Sequence, residues 1–228
     1  GRIEHVALRD SHSGLRWTAT PQHVVFAAGS GNQALRRRSG LDAESMQRRP
    51  LHMAMVRGEL APLNGHCVDG AKTRVTITSD VDSDGRTVWQ LGGQLAEDGV
   101  EMDESTLMRR VYDELVAVIP GLNLDNIECS TYRVDRAEGR TPTGNRPESF
   151  QVLHDGNVIT AWPTKLALVP EISRHIVALL DGSGEARTAG PLEIPAGWPT
   201  PRVALPPWQT ARVWTTFGSG SARRRRAA

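Results

Sequence analysis

Residues 23–29, HVVFAAG, constrain the fold more than any other stretch of the chain. From Val24 to Ala28 the apolar residues follow one another without a polar interruption. A strand with one face in water alternates, whereas a strand covered on both faces does not. Cover on both faces is typical of a parallel sheet flanked by helices, so this run predicts a mixed α/β fold containing a buried parallel strand. Gly29 and Gly31 end the run, and NQALRRR after it has the makings of a short helix.

Other segments predict antiparallel pairing. RIEHVALRD and LRWTAT, joined by SHSG, read as a hairpin. From Leu51, LHMAMVRG, TRVTITS and TVWQLGG are strand-like and separated by turns such as DSDG, which predicts the antiparallel sheet of a second lobe. MDESTLMRRVYDELVAVIPG carries the strongest helical pattern. Asp103 is placed to cap it, Leu107, Val111, Leu115 and Val118 form its apolar stripe, and Pro120-Gly121 stop it. CSTYRVD predicts a strand, RTPTGNRP a turn, and SFQVLHDGNVITA a hairpin around Asp155-Gly156. An apolar helix after AWPTKL includes Pro170, a candidate kink. After Asp181, Gly and Pro dominate, and GSGSARRRRAA reads as a disordered tail.

Composition narrows the function classes. The 228 residues can bury a sizeable core, and a formal net charge of +1 gives no general affinity for nucleic acid or anionic membrane. Cys67 and Cys129 match no metal or redox spacing, so no metal is expected and a reducing cytoplasm is the default. No apolar run is long enough to span a bilayer. RRRSG and the terminal RRRR read as solvated charge runs without interleaved aromatics.

Four motifs could carry chemistry, and each also has a plain structural reading. In VVFAAGSGN, a strand ending in Ala28-Gly29-Ser30-Gly31 allows backbone to approach a phosphate closely, or is simply a strand-to-loop turn. In TYRVDRAEGRTPTGNRP, Arg133 or Arg136 could grip a substrate carboxylate or phosphate, or both could pair with Asp135 and Glu138 in a solvated cluster. His66, beside a glycine, is a base, a substrate contact or a surface-loop residue. In AWPTKLAL, Lys165 and the unpaired N–H groups of a helix start make an anion-stabilising corner, unless Lys165 is merely exposed.

In order and spacing, VVFAAGSGNQAL, the β-rich insert from Leu51, AVIPGL, TYRVDRAEGRTPTGNRP and NVITAWPTKLALVPEI resemble the C-terminal part of the FAD-dependent oxidoreductases of the D-amino-acid oxidase and glycerol-3-phosphate dehydrogenase superfamily. The resemblance covers about residues 2–180. It implies a partial FAD-binding, Rossmann-like domain with an antiparallel β-rich substrate lobe. By that likeness, 1–45 belong to the FAD-binding domain, 46–136 to the substrate lobe with its long helix, and 137–185 to the return into the FAD-binding domain; 186–228 are an irregular Pro/Gly-rich tail with a basic end.

The resemblance implies FAD as cofactor, held by Ala28, Gly29, Gly31, Trp162, Pro163, Thr164, Lys165 and Leu166. It implies a small, anionic substrate met by Arg133 or Arg136 and by His66, with a C–N or C–O bond oxidised by hydride transfer to flavin. Negative charge then grows on the pyrimidine edge of the ring, and a lysine at a helix start is suited to stabilise it. Two departures stand out: AWPTKL replaces a glycine-rich junction, and the βαβ unit with G-x-G-x-x-G has no counterpart in the chain. The expected partner is therefore an N-terminal FAD-binding half, and the isolated chain is expected to retain FAD weakly. The alternative is a truncated or split chain without independent activity, acting as a subunit or a non-catalytic binding protein.

Overall fold

A computed structural model describes residues 2–182, 196–200, 202–210 and 213–217. Along the chain run β1 (Val6–Arg9), β2 (Arg16–Ala19), β3 (Val24–Phe26), α1 (Asn32–Arg38), β4 (Met46–Gly58), β5 (Gly65–Asp69), β6 (Lys72–Val81) and β7 (Thr87–Gly92). They are followed by α2 (Gln94–Asp98), α3 (Glu104–Val118), β8 (Glu128–Gly139), β9 (Gln151–Asp155), β10 (Val158–Trp162), α4 (Val169–Asp181) and β11 (Thr215–Thr216). The fold is mixed α/β with antiparallel pairing predominant. It divides into two compact units, Gly1–Arg49 with Arg136–Arg202, and Pro50–Asp135 with Val203–Ala228.

The first unit holds the β1–β2 hairpin and a three-stranded sheet of order β3-β10-β9. The hairpin turn is tied by Asp10, whose Oδ2 accepts from the Ser13 N–H at 2.6 Å. β3 pairs in parallel with β10, and β10 in antiparallel with β9. The parallel strand expected at 23–29 is present, but not its cover on both faces. β3 has one neighbour in this sheet, and Val25 remains 40% exposed while Phe26 is buried. The strand buried along its whole length is β10, which sits between two partners.

Two further expectations are corrected here. Pro170 does not kink α4, because it lies in the first turn, where its missing N–H has no intrahelical partner to lose. The RRRSG run is not wholly solvated: Arg36 is 2% exposed. Its Nε donates to Asp42 O at 2.6 Å, and its Nη1 donates to both Asp155 Oδ2 and Thr160 Oγ1 at 2.8 Å.

The second unit is built on a sheet of order β11-β8-β4-β7-β6-β5, of which β4 and β8 each run on into the first unit. Its core gathers Val56, Val75, Ile77, Trp89 and Leu91 from the sheet with Leu107, Val111 and Leu115 from α3. The α3 stripe lies as its spacing predicts, with Val118 only half-buried, and Asp103 Oδ1 accepts from the Thr106 N–H at 2.7 Å. Gly93 follows β7 at φ +77, where an added Cβ would lie 2.8 Å from Thr73 O.

β5 (Gly65–Asp69) is not among the strands the sequence predicts, because a pleat flanked by Gly and Asp offers little apolar alternation. An irregular tail is expected from 186 on. Within the described residues of that stretch, Pro207–Gln209 form a 3-10 turn that buries Trp208, and β11 pairs with β8. Apolar rings draw these short pieces onto the sheet despite the prolines. The RRRR end lies outside the described residues.

Asp82 organises the β6–β7 turn. Its Oδ1 accepts from the N–H groups of Asp84 at 3.0 Å and Arg86 at 2.9 Å, and its Oδ2 accepts from Arg86 Nε at 2.9 Å. Arg57 stacks over the Trp214 ring at 4.0 Å and donates to Glu128 at 2.8 Å on the same side of the turn. Removal from water raises the Asp82 pKa, but the bonds from Arg86 and Asp84 outweigh this and hold it below the ordinary 3.8. A depressed pKa contributes stability at pH above the unfolded value of about 3.9, lost as pH falls through the folded one. Asp82→Asn is therefore expected to be less stable than the parent at neutral pH by about 1–3 kcal/mol. Its stability should also decline less steeply below pH of about 4. Urea titrations at several pH values would measure both effects.

Candidate functional site

Parallel pairing in register decides where the loops after β3 and β10 emerge. Phe26 stands opposite Thr160, so both strands end at the same edge of the sheet. In open α/β sheets, ligands bind outside the carboxyl ends of such strands. The turn Gly29–Gly31 leaves β3 at this edge, and Pro163–Leu168 leave β10. The structure thus brings Ala28, Gly29 and Gly31 to the same sheet edge as Trp162, Pro163, Thr164, Lys165 and Leu166, more than 130 residues further on.

Gly29 adopts φ +56 with open space where a Cβ would lie, so its role is conformational. A Cβ on Gly31 would stand 3.2 Å from that of Ala28, which keeps this turn tight. Beyond β10 the backbone turns sharply. Thr164 has φ +60, and Lys165 N donates to Pro163 O at 2.6 Å, closing a three-residue γ-turn. A β-branched residue in the left-handed region is strained. Here it is secured by Thr164 Oγ1, which donates to Ser149 O at 2.9 Å.

Lys165 is extended and exposed at the cap of the 3-10 turn Leu166–Leu168, which runs directly into α4. The leading N–H groups of such a turn have no partners within it. Leu166 is 87% exposed.

Trp162, just before the γ-turn, is buried. It is 1% exposed and lines a cavity of about 430 Å³ with Ser45, Gly139, Arg140, Phe150 and Gln151. Trp162 Nε1 and Gln151 Oε1 are buried and have no hydrogen-bond partner among the described residues. Pro163–Leu166, by contrast, present backbone and the exposed Lys165 at the outer edge.

Of the three remaining sequence candidates, Arg136 belongs to the same unit as these residues, and Arg133 and His66 to the other. Arg133 belongs to the second unit, where Nη1 donates to Val100 O at 2.6 Å and Nη2 to Met102 O at 2.7 Å. Arg136 belongs to the first unit and is half-buried. The solvated-cluster alternative for these arginines fails at Glu138, which is 1% exposed and gripped by both prongs of Arg49, at 2.9 and 3.1 Å. His66 lies exposed on the edge strand β5, with Nδ1 2.9 Å from Thr76 Oγ1 across the hairpin. Sequence reasoning passed over Asn32 and Arg36, both buried beneath the β3–β10 edge. Two polar residues four apart, opening a helix directly after Gly-x-Gly, were the available signal.

Among the described residues no three His, Cys, Asp or Glu side chains gather closely enough for a metal ion. No described helix is long and apolar enough to cross a membrane. Both cysteines are free, and burial pushes the Cys129 thiol up to about 12. A disulfide reagent at pH of about 8 should therefore titrate only Cys67 in the native protein and both thiols after unfolding. A second rapid equivalent before unfolding would contradict the burial of Cys129.

No protein-family model matches the chain. It is 41% identical over 193 residues to "Probable FAD-dependent oxidoreductase PA4991" of Pseudomonas aeruginosa, an alignment covering 83% of this chain and 49% of that protein. The crystal structure of the FAD-dependent oxidoreductase PA4991 from the same organism superposes with a TM-score of 0.77 at 38% identity, covering 90% of this chain and 58% of the other. The chain thus spans about half the length of the curated relative it matches.

Proposed function

We propose that this chain forms the later part of an FAD-dependent oxidoreductase acting on a C–N or C–O bond of a small, anionic substrate. The observation that carries the reading is the shared sheet edge: Gly29–Gly31 and Pro163–Leu166 emerge side by side from two parallel strands. The 41% identity to a probable FAD-dependent oxidoreductase supports it. The residues at the edge also fit a flavin nucleotide chemically. Gly29 and Gly31 allow backbone to approach a ligand, Lys165 and the N–H groups after it favour an anionic ring edge, and Trp162 Nε1 is a buried donor lacking a partner among the described residues.

In this reading 1–45 and 137–185 contribute to a Rossmann-like FAD-binding domain, and 46–136 form the substrate lobe. The βαβ unit that grips the adenosine comes from another segment or chain. Bound at the shared sheet edge, FAD would supply the two-electron redox chemistry, held by Ala28, Gly29, Gly31 and residues 162–166. Lys165 holds its ammonium beside the helix start and stabilises negative charge developing there, without exchanging a proton. Pro163 and the strained Thr164 fix the turn, so this alignment needs no rearrangement during reaction. Arg136 is the arginine for the substrate's acidic group, since Arg133 is committed to the carbonyls of Val100 and Met102. His66 is retained as a candidate substrate contact.

The test is anaerobic mixing of the flavin-loaded protein with amino acids and hydroxy-phosphates while the flavin absorbance is followed. Bleaching by one class is expected, and Lys165→Met should slow it by about 10²-fold. A Lys165→Met protein that bleaches at the parent rate removes Lys165 from the mechanism. A protein that binds no flavin in any assembled form overturns the whole reading.

A further inference from the structure

We propose that Asn32 is a positioning residue that sets the separation between the two backbone edges assigned above to the cofactor. The consequence for FAD rests on the proposed function; the geometry does not.

β3 and β10 pair through Val24↔Val158, Val25↔Ile159 and Phe26↔Thr160, and their ladder stops there. Beyond it β3 leaves for its loop, whereas β10 runs on beside β9 to Trp162. The Asn32 side chain fills the gap: Oδ1 accepts from Ala28 N at 2.8 Å and Nδ2 donates to Ala161 O at 3.1 Å. A side-chain amide has one acceptor and one donor group in a plane, as a peptide unit has. Asn32 therefore adds one rung beyond the last paired residues of the two strands. The left-handed Gly29 reverses the chain so that residue 32 can reach back to Ala28.

Three features indicate positioning in addition to packing. Asn32 is fully buried and its bond to Ala161 O is shielded from solvent, while the bond from Ala28 N is part-buried. The atoms it holds lie close before each loop, Ala28 directly before Gly29–Gly31 and Ala161 one residue before Trp162, whose pairing with Gln151 ends β10 ahead of the turn at Pro163–Lys165. The helix that carries Asn32 is docked independently by Arg36, one turn on, through Thr160 and Asp155. Changing Asn32 can thus release the loops while α1 stays in place.

Two variants separate the two bonds. Asn32→Asp keeps an acceptor for Ala28 N but sets a carboxylate oxygen against Ala161 O. Asn32→Ala removes both bonds. Amide hydrogen exchange on the 228-residue chain should show Asn32→Ala raising exchange at Ala28 and across 162–166 at least tenfold, with the β1–β2 hairpin unchanged. Asn32→Asp should loosen 162–166 and leave Ala28 protected. In the flavin-loaded protein both variants should weaken FAD at least tenfold and shift its visible spectrum, while Ile172→Val, a buried control in α4, does neither.

Exchange within twofold of the parent in both segments overturns the proposal, as does a uniform rise across the first unit. Loosened segments with an unchanged FAD dissociation constant overturn it too. If Asn32→Ala does not fold, Asn32→Asp carries the comparison. A parent protein that binds no FAD would sink the cofactor reading alone, because the exchange pattern still decides whether Asn32 sets the spacing.

Discussion

Trp89→Ala is expected to destabilise the second unit by about 3–5 kcal/mol. Trp89 is 2% exposed and packs within the cluster that includes Val56, Ile77, Leu107, Val111 and Leu115. Truncation removes the burial of a large ring and leaves a cavity that well-packed neighbours collapse into only in part. It also removes the Nε1 bond to Ala61 O at 2.9 Å, which holds the connection leading from β4 to β5. Trp89→Phe retains most of the apolar area and should cost less, about 1–3 kcal/mol. Denaturant titration followed by the remaining tryptophans would measure both, and a Trp89→Ala protein with an unchanged midpoint would contradict the packing described.

Arg36→Ala is expected to be comparably severe in the first unit, about 3–5 kcal/mol. A 2%-exposed guanidinium tolerates burial because Asp155, Thr160 and the Asp42 carbonyl accept from it. Without it, the fully buried Thr160 hydroxyl loses its partner and α1 loses its attachment to β10. Arg36→Lys should recover only part of the loss, since an ammonium cannot reproduce the spread of three bonds from one planar fork. The measurement is an unfolding curve together with near-ultraviolet circular dichroism, with Arg36→Gln as a neutral comparison. Parent-like stability in Arg36→Ala would show that the three bonds do not hold α1.

The elements carried by local pattern were legible. The α3 stripe, its Asp103 cap and the β9–β10 hairpin each follow from residues within a few positions of one another. Of the candidate site, only the Gly-x-Gly turn and the Pro-Thr-Lys junction stand out in sequence, because each is a local signal. Their meeting at one sheet edge does not, since it depends on the parallel register of Phe26 with Thr160. Arg133 and Arg136 illustrate the limit. Three residues apart on one strand they look alike in sequence, yet one binds the carbonyls of Val100 and Met102 and the other lies in a different unit.

By itself the sequence determined the periodicities: which segments pleat, which coil, where Asp103 starts a helix and where Gly29 permits a turn. These depend on backbone sterics and on the spacing of apolar residues, which act over a single turn or pleat. Tertiary structure alone decided burial and partnership: that β10, and not β3, is covered along its length; that Arg36 leaves water; that Asn32 bridges Ala28 and Ala161. Burial and hydrogen bonding are properties of surroundings assembled from residues more than a hundred positions apart, and no local pattern encodes which of them will meet.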